Sequence, residues 1–136
     1  MKRFATSFDP DGELIVVEGR IAGPRGSSGG RLVLDTGAAM TTITPELAEL
    51  LGYSAREGLR RTRVHTALGS EEGYLLEVAE LMALGTVLQR FRVHVFDLGY
   101  DDIDGLVGLS FLRRLNYEIR SAEYRVLVEP VARATA

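Results

Sequence analysis

No cysteine occurs among the 136 residues, which excludes a disulfide framework, thiol catalysis and a cysteine-based zinc site. Long apolar runs are missing too. The longest aliphatic stretches, such as Leu14-Ile15-Val16-Val17, are far too short to span a bilayer. The basic residues near the start, Lys2 and Arg3, have no apolar segment behind them of the kind a signal peptide needs. A cytoplasmic protein with no membrane partner is the expectation, whether as a whole chain or as a domain excised from a longer one. Nor does one sign of charge dominate: 16 basic residues face 19 acidic ones, for a net charge of −3 and a pI near 5.4. Nucleic acid is therefore not expected as a partner, since phosphate binding wants clustered Lys and Arg. The only local basic run, Arg56, Arg60, Arg61 and Arg63, reads as a solvated face.

What is present is ordinary in bulk and specific in detail. Apolar residues make up 46% and charged residues 26%, enough for one soluble domain that buries roughly two-thirds of its unfolded surface. Most segments read as β. Residues 13–21 form an aliphatic strand, residues 23–30 a glycine-rich connection, and residues 31–35 the next strand, a hairpin with a long loop. No Gly-Lys-Ser/Thr follows those glycines, so a phosphate cradle is not expected. Thr44 and Pro45 open a short helix whose apolar face is Leu47, Leu50 and Leu51, stopped by Gly52. Residues 61–68 and 74–84 flank Gly69-Ser70-Glu71-Glu72-Gly73, which reads as a polar hairpin turn. A strand over 87–96, a second short helix over 110–115 capped by Ser110, and strands over 117–119 and 124–128 complete the pattern.

One segment concentrates the chemistry. Leu32-Val33-Leu34-Asp35-Thr36-Gly37-Ala38 delivers a carboxylate from an apolar strand to a tight turn, where partial desolvation raises the cost of its charge. A carboxylate there gains its use from a second one. Two that share a proton hold a base and an acid at once, the pair that hydrolyses a peptide bond through an activated water. The chain has a single Asp-Thr-Gly, so the second aspartate would come from a second copy.

Asp35-Thr36-Gly37-Ala38 after an aliphatic strand, and Asp104-Gly105-Leu106-Val107-Gly108-Leu109 farther on, together resemble the retropepsin-like (retroviral-type) aspartic proteases. In that family an Asp-Thr/Ser-Gly-Ala/Ser turn is matched by an apolar-apolar-Gly element near the C-terminus, with a flap hairpin between them. The resemblance covers about residues 13–128 of a single domain spanning 1–136. It implies an all-β, closed acid-protease barrel with one or two short helices, working as a two-fold homodimer on a peptide or protein substrate, with no cofactor and no metal. Asp35 would be catalytic. Thr36, Gly37 and Ala38 would support its turn, the Thr36 hydroxyl joining a network across the two subunits. Leu106, Val107 and Gly108 would pack beneath that turn, where a residue larger than Gly108 would collide with the crossing chain. Gly69, Ser70, Glu71, Glu72 and Gly73 would form the flap, with a more acidic tip than the viral enzymes carry. The dimer would use residues 124–128 or the N-terminal strand holding Phe4 and Phe8, since residues 130–136 form a polar, small-residue tail.

Other readings keep their place. A non-catalytic peptide-binding or dimerisation module on the same fold is one, although such a module has no need of Asp35 or Thr36. A monomeric all-β ligand-binding domain with a coincidental Asp-Thr-Gly is another. Asp97, Asp101, Asp102 and Asp104 lack the spacing of a calcium loop and read as an acidic turn. His65 and His94 each stand alone in a strand and read as structural.

Overall fold

The computed structural model describes residues 4–66 and 69–131. It consists of ten strands and two short helices: β1 (Phe4–Ser7), β2 (Val16–Gly23), β3 (Gly26–Leu34), β4 (Thr42–Ile43), α1 (Pro45–Leu50), β5 (Arg60–Thr66), β6 (Gly69–Ala83), β7 (Thr86–Val95), β8 (Gly105–Val107), α2 (Leu109–Leu112), β9 (Leu115–Arg120) and β10 (Arg125–Pro130). Hydrogen bonding runs β2-β3-β8-β4-β7-β6, and the far end of β6 returns to β2, from Gly19 opposite Ala83 to Ala22 opposite Glu80. Six strands thus close a barrel, which abolishes its edges. β5 hangs on β6 outside the ring, and β1, β10 and β9 form a separate three-stranded sheet in that order.

The interior follows from alternation. Successive strand side chains point to opposite faces, so Val93 and Val95 enter the core while Arg92 stays out. Val17, Ile21, Leu32, Ile43, Leu76, Val78, Leu81 and Val107 fill the barrel, and Phe111 of α2 meets Phe91 edge to face at 5.8 Å. Tyr53 ties two walls together. Its hydroxyl accepts the Ala79 N–H at 2.9 Å and donates to the Ala22 carbonyl at 3.4 Å.

α1 starts as its sequence suggests. Thr44 Oγ1 accepts the Leu47 N–H at 3.2 Å, and Pro45 takes the first position, where a missing N–H costs nothing. Gly52 adopts φ +94° just past the C-cap, a conformation that favours glycine. The apolar face differs from expectation: Leu50 is 63% exposed, and Ala48 is buried beside Leu47 and Leu51 in its place.

Three further expectations are corrected. The loop expected over residues 23–30 is mostly strand, because β3 begins at Gly26 and only Pro24 and Arg25 separate it from β2. Gly23 and Gly30 mark close packing, for a Cβ would lie 2.6 Å from the Tyr53 ring on the first and 3.3 Å from the Asp104 Cβ on the second. The turn expected at residues 69–73 is also strand, paired with β5 out to Thr66 opposite Gly69. Residues 67 and 68 lie outside the described residues, as do residues 132–136 of the expected tail. Ser110 does not cap α2, which starts after Gly108 with no side-chain cap. No helix among the described residues is long and apolar enough to cross a membrane.

Candidate active site

Asp35 extends the parallel ladder between β3 and β8. Leu34 lies opposite Val107, and the Asp35 N–H donates to the Val107 carbonyl at 2.9 Å. The chain then turns. The Gly37 N–H donates to Asp35 Oδ1 at 2.9 Å, and the Ala38 N–H reaches the Asp35 carbonyl at 3.3 Å. One carboxylate oxygen is thereby fixed by a backbone donor, while the half-exposed residue still meets solvent. Thr36 and Gly37 are exposed at the crest of the turn. Their neighbour Ala38 is half-buried.

The turn rests on the segment that opens α2. The Ala38 carbonyl accepts the Leu109 N–H at 2.8 Å, and the Ala39 carbonyl accepts the Ser110 N–H at 2.9 Å. Gly108 lies directly beneath. A Cβ there would stand 2.6 Å from the Met40 oxygen and 2.8 Å from the Ala38 oxygen, both backbone atoms with little room to yield. Val107 is fully buried in the core, whereas Leu106, which faces the opposite side of β8, is only half-buried.

A second layer holds this floor, and sequence reasoning missed it. Thr41 has no exposed surface. Its Oγ1 accepts the Gly108 N–H at 3.1 Å and the Ser110 hydroxyl at 3.1 Å. In return, Ser110 Oγ accepts the Thr41 N–H at 2.9 Å. The Thr41 carbonyl accepts the His94 N–H at 2.9 Å. A buried hydroxyl that accepts two donors fixes its surroundings, because any shift strands a polar group. In the sequence Thr41 begins a β-branched run, and nothing there distinguishes it from strand filler.

Of the acidic cluster, Asp104 has a structural task. Its Oδ2 accepts the Arg31 N–H at 2.9 Å, and its backbone exchanges bonds with Arg31 and Thr44, joining β3 to the start of α1. Asp97 Oδ1 accepts the Gly99 N–H at 2.9 Å in a local turn. Among the described residues, no group of three or more His, Asp or Glu side chains is placed to hold a metal ion.

The β5–β6 hairpin is built otherwise. Arg63 meets Glu72 at 3.2 Å in an exposed cross-strand pair. At its root the Leu59 N–H donates to the Leu75 carbonyl at 2.7 Å. Two titratable groups sit there. Burial, with some help from Arg60, lowers the pKa of His94 below its ordinary 6.5. Burial, with Glu57 and Glu49 adding, raises that of Tyr74 above 10.0. The His94 ring packs edge to face on Phe96 at 5.9 Å.

Comparison with known proteins agrees with this geometry. Residues 17–114, more than half of the chain, match the family described as gag-polyprotein putative aspartyl protease. A retropepsin-like aspartic protease from Rickettsia conorii superposes with a TM-score of 0.68 at 21% identity, covering 93% of this chain and 98% of that one. The retroviral protease-like domain of Ddi1 from Leishmania major superposes with a TM-score of 0.58 at 18% identity, covering 88% and 94%. No curated protein matches in sequence. At these identities the two structures speak for the fold, and the family match speaks for descent. The chain belongs to the gag-polyprotein aspartyl protease family and has its retropepsin-like fold.

Proposed function

We propose that the chain is an aspartic endopeptidase whose active site forms when two copies bring their Asp35 side chains together. The observation that carries this reading is the Asp35 turn itself: a half-exposed carboxylate, one oxygen fixed by the Gly37 N–H, on a rigid floor of Gly108 and Thr41. Two such carboxylates within hydrogen-bond reach cannot both ionise, so they share one proton and titrate as a unit. The ionised member takes a proton from water as that water attacks the peptide carbonyl carbon. The protonated member gives its proton to the carbonyl oxygen. Collapse of the tetrahedral adduct, with a proton delivered to the amide nitrogen, breaks the C–N bond. No covalent enzyme intermediate is formed.

In this reading the Thr36 hydroxyl, exposed at the crest of the turn, bonds across the two-fold axis. The β5–β6 hairpin, with residues 69–73 in one of its strands, serves as the flap. It closes over an extended peptide and excludes water. Residues 1–136 work as one unit. Mass-spectrometric cleavage of a complex peptide mixture, with the wild-type chain beside Asp35→Asn, tests the proposal. Cleavage by the wild type alone is the expected result. A folded, dimeric wild type that cleaves nothing would move the assignment to a binding module on the same fold.

A further inference from the structure

We propose that the unpaired part of β7 is a docking edge for an extended acidic peptide segment, held beside Arg113 and Arg114. The inference stands apart from the protease reading and does not depend on it. Closure removes the edges of the barrel except along one seam. On that side β7 is covered by β4, which reaches only His94 and Val95. There the His94 N–H donates to the Thr41 carbonyl at 2.9 Å and the Phe96 N–H to the Ile43 carbonyl at 3.3 Å. Ahead of His94, residues 86–93 have no strand against them on that side among the described residues. Unpaired strand backbone presents a row of donors and acceptors that an added strand satisfies.

Three observations fit this edge to an acidic strand. The first is room. A cavity of about 680 Å³ runs beside Thr86, Val87, Leu88 and Gln89 and beside the junction of α2 with β9. The second is its apolar lining. Leu88 and Leu115 are buried, while Val87 and Val131 are 49% and 48% exposed and offer contact to the side chains of a bound strand. The third is charge of one sign. Arg113 and Arg114 line the cavity and are both exposed. Neither meets an acidic side chain among the described residues, and no acidic residue lines the cavity. Arg90, also exposed, follows directly on β7. Guanidinium groups bind carboxylates by strong, charge-assisted hydrogen bonds. A second copy of this chain does not suit the site, because an edge paired with itself would set these arginines against one another.

The probe is a fluorescein-labelled peptide of alternating glutamate and valine, added to the full chain carrying Asp35→Asn so that no cleavage consumes it. Fluorescence anisotropy is expected to rise to saturation, and amide exchange is expected to slow within residues 86–93. Arg113→Glu with Arg114→Glu should weaken binding about tenfold and turn the preference toward a lysine–valine peptide. Arg60→Glu with Arg61→Glu changes the net charge equally on exposed positions of β5 and should leave the affinity unchanged. N-methylation of alternate peptide residues removes the donors from one edge of the bound strand. One of the two alternate sets should abolish binding and the other should be tolerated, which separates strand addition from attraction by charge alone. The proposal is overturned by no binding, by binding indifferent to the Arg113 and Arg114 reversals, or by tolerance of both methylated sets. Protection that falls on β1, β9 or the Asp35 turn in place of residues 86–93 overturns it as well.

Discussion

Around Asp35, the holding contacts come from distant parts of the chain: Val107 for its N–H, Leu109 and Ser110 for the carbonyls of Ala38 and Ala39, and Thr41 for the Gly108 N–H. In the β5–β6 hairpin, β5 pairs with β6 alone, and Arg60, Arg61 and Arg63 are all exposed. The first region cannot move without stranding buried polar groups, whereas the second opens at the cost of one strand pairing. Local stability of this unequal kind is what the proposed protease needs, a fixed floor and a segment that opens to admit and cover a substrate.

Changing the floor should have the largest effect. Gly108→Ala drives a Cβ into two backbone carbonyls and should cost about 3 kcal/mol, read by urea unfolding. Gly29→Ala is the matched control, since its Cβ meets nothing nearer than 3.8 Å, and it should be close to neutral. Thr41→Val keeps the shape and removes the oxygen that satisfies the Gly108 N–H. A loss of about 2 kcal/mol is expected from the stranded donor, with a matching fall in kcat if the floor positions Asp35.

At the hairpin root the expected change is smaller and depends on pH. The unfolded chain protonates His94 near 6.5, but in the folded state burial and then Arg60 hold its pKa lower. Between the two values the unfolded state binds more protons, so stability falls as pH drops through that window and levels off below it. His94→Gln should flatten that decline in unfolding measured from above pH 7 to below pH 6. Smallest of all, Arg63→Ala removes an exposed pair and should shift stability by less than about 0.5 kcal/mol. An effect on KM without one on stability would mark the hairpin as the mobile partner of the fixed floor.

The same contrast governs what was legible in the sequence. Asp35 and Gly108 were readable because each sits in a short motif on an apolar strand, and α1 because Thr44, Pro45 and Gly52 form a local grammar of caps. Thr41 was not readable. Its hydroxyl acts on Gly108 and Ser110 across the fold, and local pattern carries no trace of such a contact. Ser110 has the local pattern of a helix cap for the same reason, since its partner Thr41 is remote. Gly69 and Gly73 look like punctuation, which puts the expected hairpin turn between them. Inside β6, Gly73 instead makes room for the Val95 oxygen and the Phe96 side chain, a close approach that only tertiary packing reveals. Leu50 fitted the helical period of α1 and still faces solvent, because a six-residue helix buries a narrow stripe.

The central claim, that each chain supplies half of the active site, is tested most directly by mixing subunits. Wild-type chain held at fixed concentration is incubated with increasing Asp35→Asn chain, and cleavage is measured after exchange. If the site is shared, activity per wild-type chain falls in proportion to the wild-type fraction, because mixed dimers carry one aspartate. Activity per wild-type chain that stays constant, with exchange verified, would contradict the account.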